Sequence, residues 1–165
     1  MKARTWAWGT IQGCITLDPA VVAGARELRT DHFADAVTYE APEEAVTVHL
    51  QQDWLPAIES WWPAVALELL GFEKARGSGE LLVTHGVGPH VDEINGPTLI
   101  LVLYNAGLAF SQGEVRHVTQ PGEWFIFNDR IEHDICSNPG PLDNADIYAC
   151  LSVPLQEFGY ADGQR

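Results

Sequence analysis

The feature of this sequence that most restricts its fold is a series of short apolar runs after Gly71, each separated from the next by turn residues. Seven runs follow one another at similar spacing: "ELLVTHG", "TLILVLYN", "GLAFSQG", "EVRHVT", "EWFIFND", "HDICS" and "DIYACLSV". Runs of this length, bounded by glycine, asparagine, aspartate or serine, are typical of β-strands. Several such strands at regular spacing predict a β-sandwich or β-barrel in this half of the chain.

The first part of the chain mixes strand and helix patterns. "TWAWGTIQGCITL" and "EEAVTVHLQ" alternate apolar with smaller or polar residues, as half-buried strands do. Between them, Asp18 followed by Pro19 is a typical helix start. The apolar spacing that follows predicts a helix over residues 19–30.

A second helical stretch is predicted between Asp53 and Gly71, where glycine provides a natural C-terminal stop. Pro63 is expected to kink or divide this stretch, because proline lacks the backbone N–H that a helix interior needs. Its apolar residues recur at helical spacing and are expected to form one core-packing face: Ile58, Trp61, Trp62, Val65 and Leu69.

Together these patterns predict an α+β fold that is mainly β. At 165 residues and 46% hydrophobic content, without a second block of distinct composition, the chain suits one domain over residues 1–165. Residues 1–75 are expected to supply N-terminal strands and supporting helices. Residues 76–157 are expected to form the barrel core that carries the chemistry.

Charge and cysteine content limit the partners that we expect. A formal net charge of -14 makes nucleic acid and anionic lipid surfaces poor partners and favours a small molecule or a peptide. The N-terminus lacks the apolar core of a signal peptide, and no apolar run approaches the length of a membrane span, so a cytoplasmic protein is expected. Cys14, Cys136 and Cys150 are predicted to be buried free thiols.

The candidate metal ligands lie at the boundaries of the predicted strands. In "GPHVDE", His90 and Asp92 are two residues apart, so both side chains point to one side of extended backbone. His133 follows the strand "EWFIFND", and a barrel can fold it back beside the first pair. Two imidazoles and one carboxylate on one face of an ion form the triad of non-haem Fe(II) oxygenases.

Other interpretations of the same residues stay open. Mn(II), Ni(II) or Zn(II) also suits such a ligand set, and a polar surface turn before a strand would explain His-x-Asp on its own. The order of the three residues along the predicted barrel strands favours the metal site.

The stretches "GPHVDE", "PGEWFIFNDRIEHDI" and "IYACLSVPL" resemble the Fe(II)/2-oxoglutarate-dependent dioxygenases. The resemblance implies a double-stranded β-helix, which is a jelly-roll barrel of the kind that cupins share, with helices supporting it from outside. It also implies that His90, Asp92 and His133 hold Fe(II), that 2-oxoglutarate chelates the iron as co-substrate, and that the bound substrate is oxidised with dioxygen.

One departure from that family concerns the cation that holds the far carboxylate of 2-oxoglutarate. The closing strand "DNADIYACLSV" supplies no arginine, and "TLILVLYNAG" supplies no lysine. Arg116 in "GEVRHVT" is the expected replacement, although alternation alone allows an outward, solvated arginine equally well. Arg76 and Arg130 are further candidates, and the hydroxyls of Tyr104 and Thr98 are expected to contribute hydrogen bonds.

Two competing functions remain. "PGEWFIFNDRIEHDICSN" also resembles the second cupin motif, with His133 and Asn138, whereas the first half has Asp92 where cupins usually carry a histidine. A cupin-type metal protein would need no 2-oxoglutarate anchor, and would be an isomerase, a dioxygenase without co-acid, or a sugar- or metal-binding module. The second alternative is a barrel that only binds and has lost catalysis.

Overall fold

The fold is taken from a computed structural model of the chain. The structure describes residues 11–28, 36–41, 44–49, 54, 58–75, 79–92, 96–136 and 146–157.

Fifteen elements follow one another within the described ranges. The first seven are β1 (Ile11–Cys14), α1 (Pro19–Glu27), β2 (Ala36–Ala41), β3 (Glu44–His49), α2 (Ile58–Trp61), α3 (Ala64–Leu70) and β4 (Phe72–Lys74). The remaining eight are all strands: β5 (Glu80–Thr84), β6 (Val87–His90), β7 (Pro97–Asn105), β8 (Ala109–Gln112), β9 (Val115–His117), β10 (Glu123–Asn128), β11 (His133–Cys136) and β12 (Tyr148–Glu157). Each of the seven predicted runs overlaps one of these strands.

The last eight strands are divided equally between two antiparallel sheets. In the large sheet the order is β1-β10-β7-β12-β5-β3-β2, with β4 also paired to β12, and in the small sheet it is β6-β11-β8-β9. From β5 to β12 the chain therefore crosses between the two sheets at every step except the β8–β9 hairpin, which stays in the small sheet, and the strands form a jelly-roll barrel, the architecture of a double-stranded β-helix. The predicted mainly β fold with N-terminal helices is confirmed.

The central strands of the large sheet are buried on both faces, because their alternate side chains enter two different cores. The helix-side core, between this sheet and the helices, includes Val21, Leu67, Leu99, Leu101, Leu103, Trp124, Ile126, Leu151 and Val153. The barrel core, between the two sheets, consists of Ile100, Val102, Leu108, Phe110, Phe125, Phe127, Tyr148 and Cys150. Burial on both faces explains why these strands appear in the sequence as almost unbroken apolar runs.

Helix α1 begins as predicted and ends earlier. The Asp18 side chain accepts a hydrogen bond from the Ala20 N–H at 2.8 Å, and Pro19 occupies the first turn. The predicted end at residue 30 is wrong, because Leu28 is already extended and its N–H bonds back to the carbonyl of Ala25. The buried side of the helix supports the large sheet from outside.

Pro63 divides the second helical stretch into α2 and α3, and Gly71 ends α3 with a φ of 88°, both as predicted. The predicted apolar face is confirmed only in part. Trp61 is in the helix-side core, whereas Val65 and Leu69 are 74% and 73% exposed. Because the helix is interrupted at Pro63, the side chains of α3 do not continue the apolar face of α2. Leu67, and neither Val65 nor Leu69, is the buried residue of α3.

Two cysteines test the prediction of buried thiols. Cys150 is buried in the barrel core, and burial raises its pKa to about 12. For Cys14 the prediction is wrong, because this residue ends β1 at the edge of the large sheet and is exposed. Of Cys136 only the backbone, in β11, is described.

None of the helices within the described ranges has both the length and the apolar character needed to cross a membrane.

Because Leu67 is buried and Leu69 is exposed, replacing these two leucines of α3 should lower the free energy of unfolding by different amounts. Leu67→Ala removes a fully buried side chain and should lower the free energy of unfolding by about 2–5 kcal/mol. Leu69→Ala changes an exposed side chain and should alter it by no more than about 0.5 kcal/mol. Urea denaturation of both variants measures the difference, and equal effects would contradict this assignment of the buried face.

Candidate metal centre

The pairing of β6 with β11 brings two histidines together. His90 ends β6 and His133 begins β11, and the two residues are directly opposite each other in the antiparallel register. Their ring centroids lie 4.3 Å apart. A third candidate, Asp92, follows β6 at the spacing that keeps its side chain on the same side as His90.

The Asp92 carboxylate lies between the two imidazoles. One oxygen is 3.5 Å from Nε2 of His90, and the other is 3.4 Å from Nε2 of His133. The three potential ligand atoms all lie within 4.8 Å of one another. In the described part of the chain, no other group of three or more histidine, cysteine, aspartate or glutamate side chains has this arrangement.

Backbone carbonyls fix the orientation of both rings. Nδ1 of His90 lies 2.8 Å from the carbonyl oxygen of Gly88, and Nδ1 of His133 lies 2.9 Å from that of Ile131. A carbonyl oxygen only accepts, so each Nδ1 carries a proton and donates it. In the neutral rings both Nε2 lone pairs are then directed at the cluster. A hydrogen bond from Nδ1–H to a backbone carbonyl is the usual support for a histidine that binds metal through Nε2.

The charges at the cluster shift the pKa values of Asp92 and His133 in opposite directions. A hydrogen bond from His133 lowers the pKa of Asp92, against the opposing effect of burial. Burial lowers the pKa of His133, but the hydrogen bonds to Asp92 and to the Ile131 carbonyl outweigh it and raise this pKa above its usual value. Below this raised pKa, metal binding must therefore displace a proton from Nε2 of His133.

Solvent reaches the cluster from one side. The side chain of His133 is only 5% exposed, whereas those of His90 and Asp92 are 32% and 39% exposed. Behind His133 lie two aromatic rings of the barrel core, with centroid distances of 4.7 Å to Phe127 and 6.0 Å to Phe110. A ligand of the bound metal would therefore approach from the side on which His90 and Asp92 are exposed, which we call the mouth of the barrel.

Arg116, the predicted 2-oxoglutarate anchor, is not brought to the cluster. On β9 it pairs with Ser111, which pairs in turn with Asp134, whereas His133 pairs with Gln112. Directly opposite residues share a face, so Arg116 lies on the outer face of the small sheet and is exposed. Its neighbour His117 faces inward, with its ring 6.1 Å from that of Phe125.

The other anchor candidates also have defined positions. Tyr104 packs against the helix-side core, on the other face of the large sheet from the barrel core that His133 borders. Thr98 is buried, and its hydroxyl donates a long hydrogen bond of 3.5 Å to Asp129. Arg130 is exposed on the turn that precedes β11, and Arg76 lies outside the described residues.

Two buried polar residues that the sequence did not indicate contact backbone next to the cluster residues. Gln112 forms hydrogen bonds to the backbone of Asn128 and Ile131, and Asp129 accepts one from the N–H of Gly96. Gln112 ends β8 directly after Ser111 and before Gly113, so its sequence context is that of an ordinary strand end, and "NDR" is likewise typical of an ordinary turn. No local pattern indicated Asp129.

No known protein family matches this sequence, and no curated protein matches it. Among solved structures, an RmlC-like cupin protein from Desulfovibrio desulfuricans is similar to this chain, at 14% sequence identity and with a TM-score of 0.36. The similarity covers 64% of this chain and 97% of that protein. The double-stranded β-helix architecture of this chain follows from the strand order of its two sheets. Fold and site together define a double-stranded β-helix with a His-Asp-His cluster that could hold a metal ion.

The raised pKa of His133 predicts that metal and protons compete. As the pH falls through this pKa, His133 becomes protonated at Nε2 and metal affinity should drop, while Asp92 stays ionised to lower pH. Calorimetric titration with Zn(II) in buffers of different ionisation enthalpy should show proton release on binding.

His117→Ala removes an imidazole outside the cluster and is the matched control, which should release the same number of protons as the wild type. Binding without proton release, at an affinity independent of pH, would contradict the proposed coupling.

Proposed function

We propose that this protein is a cupin-type metal-dependent oxygenase that binds Fe(II) through Nε2 of His90, the carboxylate of Asp92 and Nε2 of His133. One observation supports it most strongly. Both imidazoles present Nε2 to the same carboxylate while their Nδ1–H groups are held by backbone carbonyls. A polar surface turn would not require both histidines to be Nδ1–H tautomers whose Nε2 atoms face the same carboxylate.

The ligand set accounts for the proposed chemistry. Two neutral nitrogens and one carboxylate on one face leave three coordination positions, enough for dioxygen and a chelating molecule. The metal, when bound, supplies Lewis acidity and activation of dioxygen at the solvent-facing side of the cluster. The protein residues fix the geometry, and the aromatic rings behind His133 keep water away from that side.

The described barrel interior favours a substrate that itself chelates the metal. None of the lysines or arginines in the described ranges is buried, and the barrel core consists of apolar, aromatic and cysteine side chains. A keto acid that extended its far carboxylate into this core would meet no cation there, and an unpaired buried carboxylate is costly. We therefore place a small oxygen-chelating molecule, oxidised without a co-acid, first among the substrates.

An Fe(II)/2-oxoglutarate-dependent oxygenase that acts on a small molecule or a peptide side chain is the second candidate. The positions of the candidate ligands favour it, because His90 ends β6, Asp92 follows it and His133 begins β11, in the order that the resemblance implies. This candidate requires the far carboxylate of 2-oxoglutarate to bind on the solvent-exposed side of the cluster, and Arg130, which is exposed on the turn before β11, is the described cation that we propose for it.

Anaerobic titration with Fe(II) tests the metal centre. The wild type and the control His117→Ala should each bind about one Fe(II) per chain. His90→Ala and His133→Ala should each weaken binding by more than the ~10–100-fold that loss of an outer hydrogen-bond partner causes. Equal metal content in all four proteins would contradict the proposed centre.

Adding 2-oxoglutarate to the Fe(II) protein separates the two candidates. Chelation of iron by the keto acid gives a weak visible charge-transfer band, which the first candidate predicts to be absent. If the band appears and consumption of 2-oxoglutarate follows admission of dioxygen, the second candidate replaces the first.

A further inference from the structure

The turn between β10 and β11 is held by one buried side chain from a neighbouring strand. The Gln112 carboxamide accepts a hydrogen bond from the Asn128 N–H at 3.1 Å, and its Nε2 donates to the carbonyls of Asn128 at 2.7 Å and Ile131 at 3.2 Å. Both ends of the carboxamide are therefore used. The contacted residues are the first and last of the turn 128–131, which we call the ligand turn.

Asp129, inside the ligand turn, connects it to the segment on the other side of the cluster. Its side chain accepts a hydrogen bond from the Gly96 N–H at 2.6 Å, and its own N–H donates to the Gly96 carbonyl at 2.9 Å. Its carbonyl accepts a hydrogen bond from the backbone N–H of Asp92, also at 2.9 Å. A backbone hydrogen bond thus links Asp92, one of the candidate metal ligands, directly to Asp129.

The ligand turn also orients the buried histidine. The Ile131 carbonyl, which accepts the Gln112 hydrogen bond, accepts the Nδ1–H of His133 as well. Gln112 and His133 are directly opposite each other on β8 and β11, so their side chains lie on the same face of the small sheet. A displacement of the turn would therefore move the carbonyl that selects the His133 tautomer and the backbone that places Asp92.

We propose that Gln112 and Asp129 are positioning residues that hold the ligand turn so that Asp92 and His133 adopt their metal-binding geometry before metal arrives. The inference rests on the metal centre proposed above. Neither residue belongs to the His-Asp-His cluster, and both act through backbone groups.

Burial explains why these two side chains can impose a geometry. Gln112 and Asp129 are both buried, where a polar group without a hydrogen-bond partner is costly, so displaced turns are disfavoured. Supporting hydrogen bonds of this kind reduce the reorganisation needed for ligand binding. A role confined to folding would predict loss of stability alone.

Variants at these positions separate positioning from folding. Gln112→Met keeps the length of the side chain and removes its hydrogen bonds, and Asp129→Ala removes the acceptor for Gly96. Asp129→Asn keeps an oxygen acceptor and is the conservative rescue. Asn105→Ala is the matched control, because Asn105 holds a different turn through four hydrogen bonds to Gly107, Leu108 and Thr119.

The first readout is Co(II) affinity and the visible spectrum of the bound Co(II), measured with urea stability. Gln112→Met and Asp129→Ala should weaken Co(II) binding ~10–100-fold and change the spectrum, while Asp129→Asn stays near the wild type. Asn105→Ala should lose stability with unchanged affinity and spectrum. If Gln112→Met and Asp129→Ala behave like Asn105→Ala, the positioning role is overturned.

The second readout needs no metal. Long-range proton–nitrogen NMR correlations of the histidine rings at alkaline pH should show His133 as the Nδ1–H tautomer in the wild type and as a tautomer mixture in Gln112→Met. An unchanged tautomer in that variant would overturn the proposal. Absence of metal binding by the wild type would overturn the proposed function, while the tautomer result would still decide the role of the ligand turn.

Discussion

The pairing of β6 with β11 is the constraint on which the candidate site depends. Each strand is only four residues long, and the register that places His90 opposite His133 brings together residues far apart in sequence. The second neighbour of β11 is β8, which sets Gln112 beside His133 on the same face. Because side chains alternate along a strand, a shift of one residue in this pairing would turn an imidazole away from the carboxylate. The chemistry proposed here therefore depends on the strand order of the small sheet.

The large sheet supplies the rigidity that such short strands lack. Its central strands β7, β10 and β12 are buried on both faces, with the helices on one side and the barrel core on the other. The aromatic side chains Phe110 and Phe127 connect this scaffold to His133. The cluster consequently has a closed side formed by packed rings and an open side at the mouth of the barrel. This asymmetry directs any metal-bound ligand toward solvent. Separately, none of the described lysine or arginine side chains is buried inside the barrel.

The sequence predicted the elements whose signals are local. Strands buried on both faces appear as apolar runs, and the two-residue spacing of His90 and Asp92 places both on one side of the backbone, so the barrel and the metal cluster could be anticipated. The three-residue strand β4 is too short to produce a pattern. Alternation gives two equal phases for β9, and only the pairing with β8 places Arg116 outside. Val65 and Leu69 were misread across the break at Pro63, and the roles of Gln112 and Asp129 come from contacts between distant strands that no local pattern encodes.

The most direct test of the central claim is the position of a metal in crystals of the wild-type protein grown anaerobically with Fe(II). The anomalous difference map should contain a peak at about 2.0–2.2 Å from Nε2 of His90, Nε2 of His133 and a carboxylate oxygen of Asp92. Such a peak, with open positions facing the mouth of the barrel, would establish the three residues as a metal centre. A fully occupied iron site elsewhere, or no iron between the two imidazoles at a saturating concentration, would contradict it.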